Sequence, residues 1–485
     1  MTKPATSTMI CVLSVIVVSL MGRPIAAAER PNIVFMMSDD QAWNGLSIPM
    51  HPDLQWSKSS IVDTPNLEKL ALQGMRFSAA YAPASVCSPT RISLQTGRSP
   101  AAMHWTKASG SVSASDGYKM IGPRNIRQID RNNVTVAELL RDAGYATAHY
   151  GKWHINGGGP AAHGYDEGDG EIGNEYAHEY GDPNPADIFG MAKRAAAFME
   201  KNKKANKPFF IQMSWHALHA PQNAMKETLA KYAQRMNGST DEKRVGSAAI
   251  AENLDTGVGM VVDEIDRLGL ADNTFVIYMS DNGSGGGGGQ GRGKRGGKRS
   301  RLAGGKGGVW EGGIRSPMII RGPGVPANSW CHERVVGYDF YPTYCEWAGL
   351  PASKLPRNIE GGSITSLLDD GTGTVKRQRE EMVFHFPHYQ GADGPHSALF
   401  LGDYKLMKFY EDDRLALFEI AQDISEQNDL SQQRPQKVKE LDRMLVSYLH
   451  DIDAQMAVPN PQYDPSKPPA TRKRGGGRSS GGDRN

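Results

Sequence analysis

Asn32-Ile33-Val34-Phe35-Met36-Met37 runs directly into Ser38-Asp39-Asp40, and this change from an apolar run of strand length to adjacent acids decides how the chain folds. The same transition recurs three times. Residues 145–150 lead into Gly151-Lys152-Trp153-His154, residues 209–213 lead towards His216 and His219, and residues 274–279 lead into Ser280-Asp281-Asn282. Helical patterns lie between these runs. One covers 135–143; another covers 249–268, where Ile250, Leu254, Val258, Val261, Val262 and Ile265 fall on roughly one face. Strands alternating with such helices predict an α/β fold, a large and mostly parallel sheet sandwiched by helices. Ligands of these sheets bind beyond the carboxyl ends of the strands. Asp-Asp, Lys-x-His, His and Asp-Asn should therefore meet along one edge.

At 485 residues the chain is long enough for a large α/β unit with an appendage. The texture changes after about residue 370. Residues 382–386, 398–401, 404–409 and 415–419 are short strand-like segments joined by turns such as Glu411-Asp412-Asp413. A helix follows over 436–450, with Val438, Leu441, Met444, Leu445 and Leu449 at helical spacing. These features predict a smaller C-terminal antiparallel-sheet subdomain over 371–458. From 459 to 485 Pro, Gly, Ser, Lys and Arg dominate, as in a disordered basic tail. At the other end Lys3 precedes the apolar residues 9–21, and Ala26-Ala27-Ala28 follow. That run is short for a span of about 20 residues and has the order of a signal peptide, expected over 1–28. Its removal would leave the main α/β domain over 29–370 in an exported protein, periplasmic or secreted, without a membrane span.

The formal net charge of +2 gives no argument for a nucleic-acid partner. The 39% hydrophobic content and mean hydropathy of −0.49 fit a soluble globular chain. Of the four cysteines, Cys11 lies in the leader segment. Cys331 and Cys345 are either one disulfide of an oxidising compartment or two buried thiols; their spacing leaves both open.

Residues 87–98 read Cys-Ser-Pro-Thr-Arg-Ile-Ser-Leu-Gln-Thr-Gly-Arg. A lone cysteine is ordinarily a small buried hydrophobe. Here Cys87, with Pro89, Arg91, Leu94, Thr96, Gly97 and Arg98 at fixed offsets, resembles the signature of the type I, formylglycine-dependent sulfatases, arylsulfatase-like members of the alkaline-phosphatase-like superfamily. The resemblance implies that a formylglycine-generating enzyme oxidises Cys87 to formylglycine, whose hydrated aldehyde attacks the sulfur of a sulfate ester. Pro89 suits the first turn of a helix through 88–97. The N–H groups and partial positive charge of that helix end favour a bound sulfate. Arg91, one turn along, would face the same site, and the resemblance implies that it stabilises the hydrated aldehyde.

Sulfate-ester chemistry needs further parts: a hard cation as clamp, cationic side chains, and an acid for the leaving oxygen. Adjacent acids usually mark a solvated turn. At two strand ends, Asp39, Asp40, Asp281 and Asn282 instead offer three carboxylates and one amide oxygen, a set better suited to Ca²⁺ than to Zn²⁺. Ligand type does not separate Ca²⁺ from Mg²⁺. The resemblance implies that these four positions are the metal ligands, with the modified Cys87 beside them.

Gly151-Lys152-Trp153-His154 is similar to a family element in which Lys152 would bind the sulfate and the aldehyde hydroxyl. His154 would take the proton whose loss releases sulfate. In Ser214-Trp215-His216-Ala217-Leu218-His219-Ala220-Pro221 the family pattern places the active histidine two residues before proline. That selects His219 and leaves His216 a supporting role. Lys306, in Gly305-Lys306-Gly307-Gly308-Val309-Trp310-Glu311-Gly312-Gly313, would hold sulfate and, with His219, donate the leaving-group proton. Lys152, His219 and Lys306 are thus the implied substrate-binding residues, and Glu311 and Arg315 are expected to be structural.

One stretch departs from the family pattern. Residues 284–301 are glycine-rich and hold Arg292, Lys294, Arg295, Lys298, Arg299 and Arg301. Such a loop is ordinarily flexible and solvated; between catalytic flanks it could attract a polysulfated chain. The sequence therefore leads to an exported Ca²⁺-dependent hydrolase of sulfate monoesters, with sulfated carbohydrate as substrate. Two other readings stay open. One is a phosphodiesterase or phosphonate monoester hydrolase of the same superfamily, although a two-zinc phosphatase would need an Asp-His pair where Asp281-Asn282 stands. The other is an inactive sulfoglycan-binding protein in which Cys87 stays unmodified.

Overall fold

A computed structural model describes residues 1, 30–108, 116–238, 241–284, 301–390 and 393–467. The expected signal peptide, all of the basic insertion between 285 and 300, and the tail beyond 467 lie outside the described residues.

The main sheet has eight strands in the order Ser329–Cys331, Met75–Phe77, Met318–Arg321, Thr274–Ser280, Asn32–Ser38, Phe209–Ser214, Ala146–Gly151 and Glu167–Gly168. Met318–Arg321 runs antiparallel to both neighbours, and the remaining pairs are parallel. Every residue of Asn32–Ser38, Phe209–Ser214 and Thr274–Ser280 is buried. Strands covered on both faces read as continuous apolar runs, which is how these appear in the sequence. Strand alternation divides them between two cores. Val34, Met36, Ile211 and Met213 pack with helices α4 (Ile188–Lys204) and α6 (Glu242–Arg267). Ile33, Phe35, Phe210 and Ile277 pack on the other side with α2 (Cys87–Thr96), α3 (Val136–Asp142) and α8 (Phe340–Trp347).

Local chemistry sets the helix ends. Thr135 and Glu138 form a capping box at the start of α3. Helix α6 starts at Glu242 rather than near 249, because Asp241 caps it by accepting from the Arg244 N–H at 3.1 Å. Its polar first turns hide this start from an apolar pattern. Helix α2 starts at Cys87 itself and is buried along its whole length. It ends at Gly97, whose φ of 66° favours glycine and where a Cβ would lie 2.9 Å from the Tyr341 ring.

Beyond residue 381 a separate four-stranded antiparallel sheet joins Met382–Phe386, His396–Leu401, Tyr404–Phe409 and Arg414–Glu419 in chain order. Helix α9 (Pro435–Asp451) covers one face, with Val438, Leu441 and Leu445 against Leu399, Leu406 and Leu417. The other face sets Phe384, Phe400 and Phe418 against Tyr81, Trp310 and Ile314 of the main body. Ordered chain continues past 459, where composition alone places a tail. Val458–Pro459 pairs with Met120–Ile121, and the Asp464 N–H donates to the Asp116 carbonyl at 2.7 Å. Backbone pairing of this kind is indifferent to the polar side chains that mark the segment as tail-like. Cys331 and Cys345 are both free and buried, so they are thiols and not a disulfide. No helix among the described residues is long and apolar enough to cross a membrane.

Candidate active site

Register brings the four expected strand ends into one row. Met37 pairs with Ser214, Ser38 with Ser280, and Gly151 with Ser214. The Asp39 N–H donates to the Ala217 carbonyl at 2.8 Å, the Asp281 N–H to the Ser38 carbonyl at 3.0 Å, and the Lys152 N–H to the Ser214 carbonyl at 2.8 Å. These bonds fix the segments that follow each strand. Helix α2 delivers Cys87 and Arg91 to the same place from one face of the sheet.

Ligand atoms of Asp39, Asp40, Cys87 and Asp281 all lie within 4.8 Å of one another. The Cys87 thiol donates to Asp39 Oδ1 at 3.3 Å. Three cations surround the carboxylates. Arg91 Nη2 donates to Asp281 Oδ2 at 2.8 Å and lies 3.6 Å from Asp39 Oδ2. Lys152 Nζ pairs with Asp39 Oδ2, and Lys306 Nζ pairs with Asp40 Oδ1 while reaching 3.4 Å from the Cys87 sulfur. Asn282 Nδ2 donates to Asp40 Oδ1 at 2.7 Å and to the Gly283 carbonyl at 2.8 Å. Its amide oxygen is buried with no hydrogen-bond partner among the described residues. A buried carbonyl oxygen left unsatisfied beside three carboxylates is a position that a hard cation would complete, so the donor set fits Ca²⁺ or Mg²⁺.

Electrostatics follow from this crowding. Burial alone would raise the Asp39 carboxyl, but Lys152, Lys306 and Arg91 outweigh it and hold it well below the usual carboxylate range. Burial and the Asp39 charge push Asp281 up to about 6, against the pull of Arg91. Burial also drives the Cys87 thiol up, and the Asp281 and Asp39 charges add to it. A thiol in that setting keeps its proton and is a poor nucleophile as it stands.

The histidines line the same edge. His154 has a φ of 56° and a buried Nδ1 without a partner among the described residues. Its imidazole is held well below the usual range by burial and by Lys152 and Arg91. His219 is half-buried, with Nδ1 2.7 Å from the Ala220 carbonyl oxygen. His216 packs behind it with ring centroids 5.3 Å apart and is pushed down to about 2 by burial and by Lys152. The structure thus brings together Cys87, Arg91, Lys152, His154, His219 and Lys306, with Asp39, Asp40, Asp281 and Asn282.

The Lys306 turn is anchored by the Lys306 N–H to the Ser284 carbonyl at 3.2 Å and by the Gly307 N–H to the Ser85 carbonyl at 2.9 Å. Gly313 permits the tight return, since a Cβ there would lie 1.9 Å from the Gly308 carbonyl oxygen. Behind it, Arg315 Nε donates to Glu311 Oε2 at 2.6 Å, and Lys405 Nζ lies 2.9 Å from Glu311 Oε1 and 2.7 Å from Glu426 Oε1. Glu311 and Arg315 therefore hold the turn, and the C-terminal subdomain contributes to that hold.

Two neighbours escape sequence reasoning. The Glu175 carboxylate accepts from the His154 backbone, and the His178 ring packs on His216 at 4.5 Å. Both come from a loop that follows the two-residue strand Glu167–Gly168, where neither spacing nor composition signals a site.

A family model described as Sulfatase matches residues 31–350. A second, described as N-sulphoglucosamine sulphohydrolase, C-terminal, matches residues 305–455. A sulfatase of Formosa agariphila is 29% identical over 494 residues, covering 84% of this chain and 86% of its own. The N-acetylgalactosamine-6-sulfatase of Sus scrofa is 29% identical over 395 residues, covering 74% and 69%. Among solved structures, that of Ps i-CgsB superposes with a TM-score of 0.68 at 23% identity, covering 87% of this chain and 93% of that one. That likeness is one of fold.

Proposed function

The chain belongs to the sulfatase family and is a sulfuric ester hydrolase, and from that premise we propose that it removes sulfate from sulfated carbohydrates, with a formylglycine made from Cys87 and a bound Ca²⁺. One observation carries the reading: Asp39, Asp40, Asp281 and Cys87 converge within 4.8 Å inside a ring of Arg91, Lys152 and Lys306. The relative that acts on an N-acetylgalactosamine sulfate supports a carbohydrate substrate.

Asp39, Asp40, Asp281 and Asn282 would hold the cation, with residue 87 beside it. When bound, the cation supplies polarisation of the sulfate oxygens and partial neutralisation of their charge. Formylglycine supplies a hydrated carbonyl as the nucleophile towards sulfur. Lys306, 3.4 Å from the Cys87 sulfur, and Lys152, paired with Asp39, would bind the sulfate oxygens, where charge develops as the ester bond breaks. Arg91 keeps the Asp281 and Asp39 carboxylates ionised and aimed. Lys306 and His219 hold the proton that the departing sugar oxygen needs. His154, neutral by virtue of its surroundings, accepts a proton from residue 87 so that sulfate can leave.

Residues 29–370 form the catalytic domain and 371–458 the C-terminal subdomain in this reading. Export follows from the leader-like sequence at 1–28, and maturation needs a formylglycine-generating enzyme as partner. The test is a parallel assay of sulfate, phosphate and phosphonate monoesters and of a phosphodiester. Preferential turnover of sulfate esters is expected; faster turnover of phosphorus esters would move the chain to the other hydrolases of its superfamily.

A further inference from the structure

A cavity of about 230 Å³ opens beside Asp40, walled by Ile61, Leu218 and Met236 and bordered by Lys243 and Arg244. Its wall is fixed relative to the carboxylate cluster, because the Leu218 N–H donates to the Asp39 carbonyl at 2.6 Å. Apart from Asp40, none of these residues has a part in the chemistry assigned above.

Lys243 and Arg244 follow Glu242 in the first turn of α6, which Asp241 caps. A helix N-terminus already carries partial positive charge, so cations there work against the helix. Neither side chain pairs with a carboxylate among the described residues, and Lys243 is exposed while Arg244 is half-buried. A lone surface lysine needs no explanation. Two cations without a carboxylate partner among the described residues, on the rim of an aliphatic cavity that continues into the candidate active site, are a different matter: they offer an anion a place, and the aliphatic wall offers cover to the C–H face of a ring.

We infer that this cavity receives the sugar released as the alcohol, and that this sugar carries a second anionic group, a carboxylate or a further sulfate, held by Lys243 and Arg244. The inference rests on the sulfatase reading and narrows its substrate class to polyanionic glycans. Arg244 can meet a carboxylate or a sulfate through two parallel N–H bonds, and Lys243 adds a mobile point charge.

The test uses the matured full chain and the double variant Lys243→Ala/Arg244→Ala. Loss of two cations from the first helical turn relieves the helix dipole and leaves Asp241 in place, so the variant should melt no lower than the wild type. Four substrates are compared: 4-nitrophenyl sulfate, a monosulfated disaccharide with no other charge, the same disaccharide bearing a uronate carboxylate, and the same bearing a second sulfate. The expected result is a KM rise of about tenfold for one or both dianionic substrates, the size of a partly screened charge-assisted contact. The two monoanionic comparators should stay within about twofold of wild type, and the difference should shrink as salt is raised. The two dianionic arms decide which anion the rim prefers. Unchanged KM on both, or an equal loss on all four substrates, would overturn the assignment. Should the wild type hydrolyse none of the four, the sulfatase reading fails, and calorimetric titration with the disulfated disaccharide still judges the cavity. Equal affinity of wild type and double variant there would likewise overturn it.

Discussion

Arg91 Nη2 donates to Asp281 Oδ2 at 2.8 Å with both side chains closed off from solvent. The pair joins helix α2 to the end of the strand Thr274–Ser280, and so ties the position of Cys87 to that of two acids.

Removing one partner of a buried ion pair leaves the other uncompensated, at a cost of about 3–5 kcal/mol. Arg91→Ala should therefore lower stability by that order in the absence of divalent cations, as read from urea unfolding. Added Ca²⁺ should restore part of the loss, since a bound cation supplies the missing positive charge. A variant as stable as wild type without Ca²⁺ would show that the acids do not depend on Arg91.

The oxygen-rich donor set leads to a second expectation. Elemental analysis should find Ca²⁺ or Mg²⁺ on the purified protein, and Asp281→Ala should lose it together with activity. A clamp of this kind contributes several kcal/mol to the transition state, equivalent to a rate loss of ~10² or more. Stoichiometric Zn²⁺ with neither hard cation would contradict the donor argument.

Cys87→Ala should abolish turnover while the protein stays folded and still binds sulfate esters. Mass spectrometry of the peptide containing residue 87 should show conversion of the thiol in active wild-type protein. Full activity from protein whose Cys87 is wholly unmodified would rule out the formylglycine mechanism.

Lys306 makes a prediction about leaving groups. A good aryl leaving group needs little protonation, whereas a sugar alkoxide needs much. Lys306→Ala should therefore lose more activity on sugar sulfates than on 4-nitrophenyl sulfate. Equal losses on both would assign Lys306 to charge stabilisation alone.

The buried cluster behind the Lys306 turn gives a pH signature. Burial pushes the Glu426 carboxyl up to about 7, although Lys405 opposes it. Glu311 is held down at about 2, where Lys405 and Arg315 overcome burial. The Glu426 proton is kept by the folded state and lost by the unfolded chain from about 4.5 upward, so stability should fall as pH rises from there through about 7. Glu311 acts in the opposite sense: its contribution is present above its unfolded value and disappears as pH falls towards about 2. Glu426→Gln should flatten the decline between about pH 5 and 7 in denaturant midpoints. An unaltered slope would mean that Glu426 is ionised in the folded protein throughout.

Legibility in the sequence follows physical range. Strands buried on both faces announce themselves as apolar runs, and chemical groups at their ends stand out by contrast; Asp39, Lys152 and Asp281 are readable on those grounds, whereas the choice of His219 over His216 rests on the family pattern. Helix α6 begins ahead of its apolar stripe, because its first turn, Glu242-Lys243-Arg244, is polar and is held by the Asp241 cap. Glu175 and His178 were invisible, since a loop's path is set by what it packs on. The Glu311–Lys405–Glu426 contacts were equally hidden, because they join residues far apart in the chain whose types alone suggest surface. The register that aligns the strand ends is likewise a property of pairing, which a single sequence does not display.

Helix α2 lies wholly inside the protein, with Cys87 only 2% exposed. Its neighbours come from Asp39, Asp281 and Lys306, so the pocket around the thiol is not assembled until residues as distant as 306 have arrived. Another protein cannot thread its own active site onto a helix that is already enclosed. An enzyme that converted Cys87, as proposed above, would have to reach it on a nascent or unfolded chain, and a molecule that folded first would miss its chance. On the proposed mechanism the share of working protein would then be settled by a race between maturation and folding, and faster folding, ordinarily an advantage, would lower the yield of active molecules.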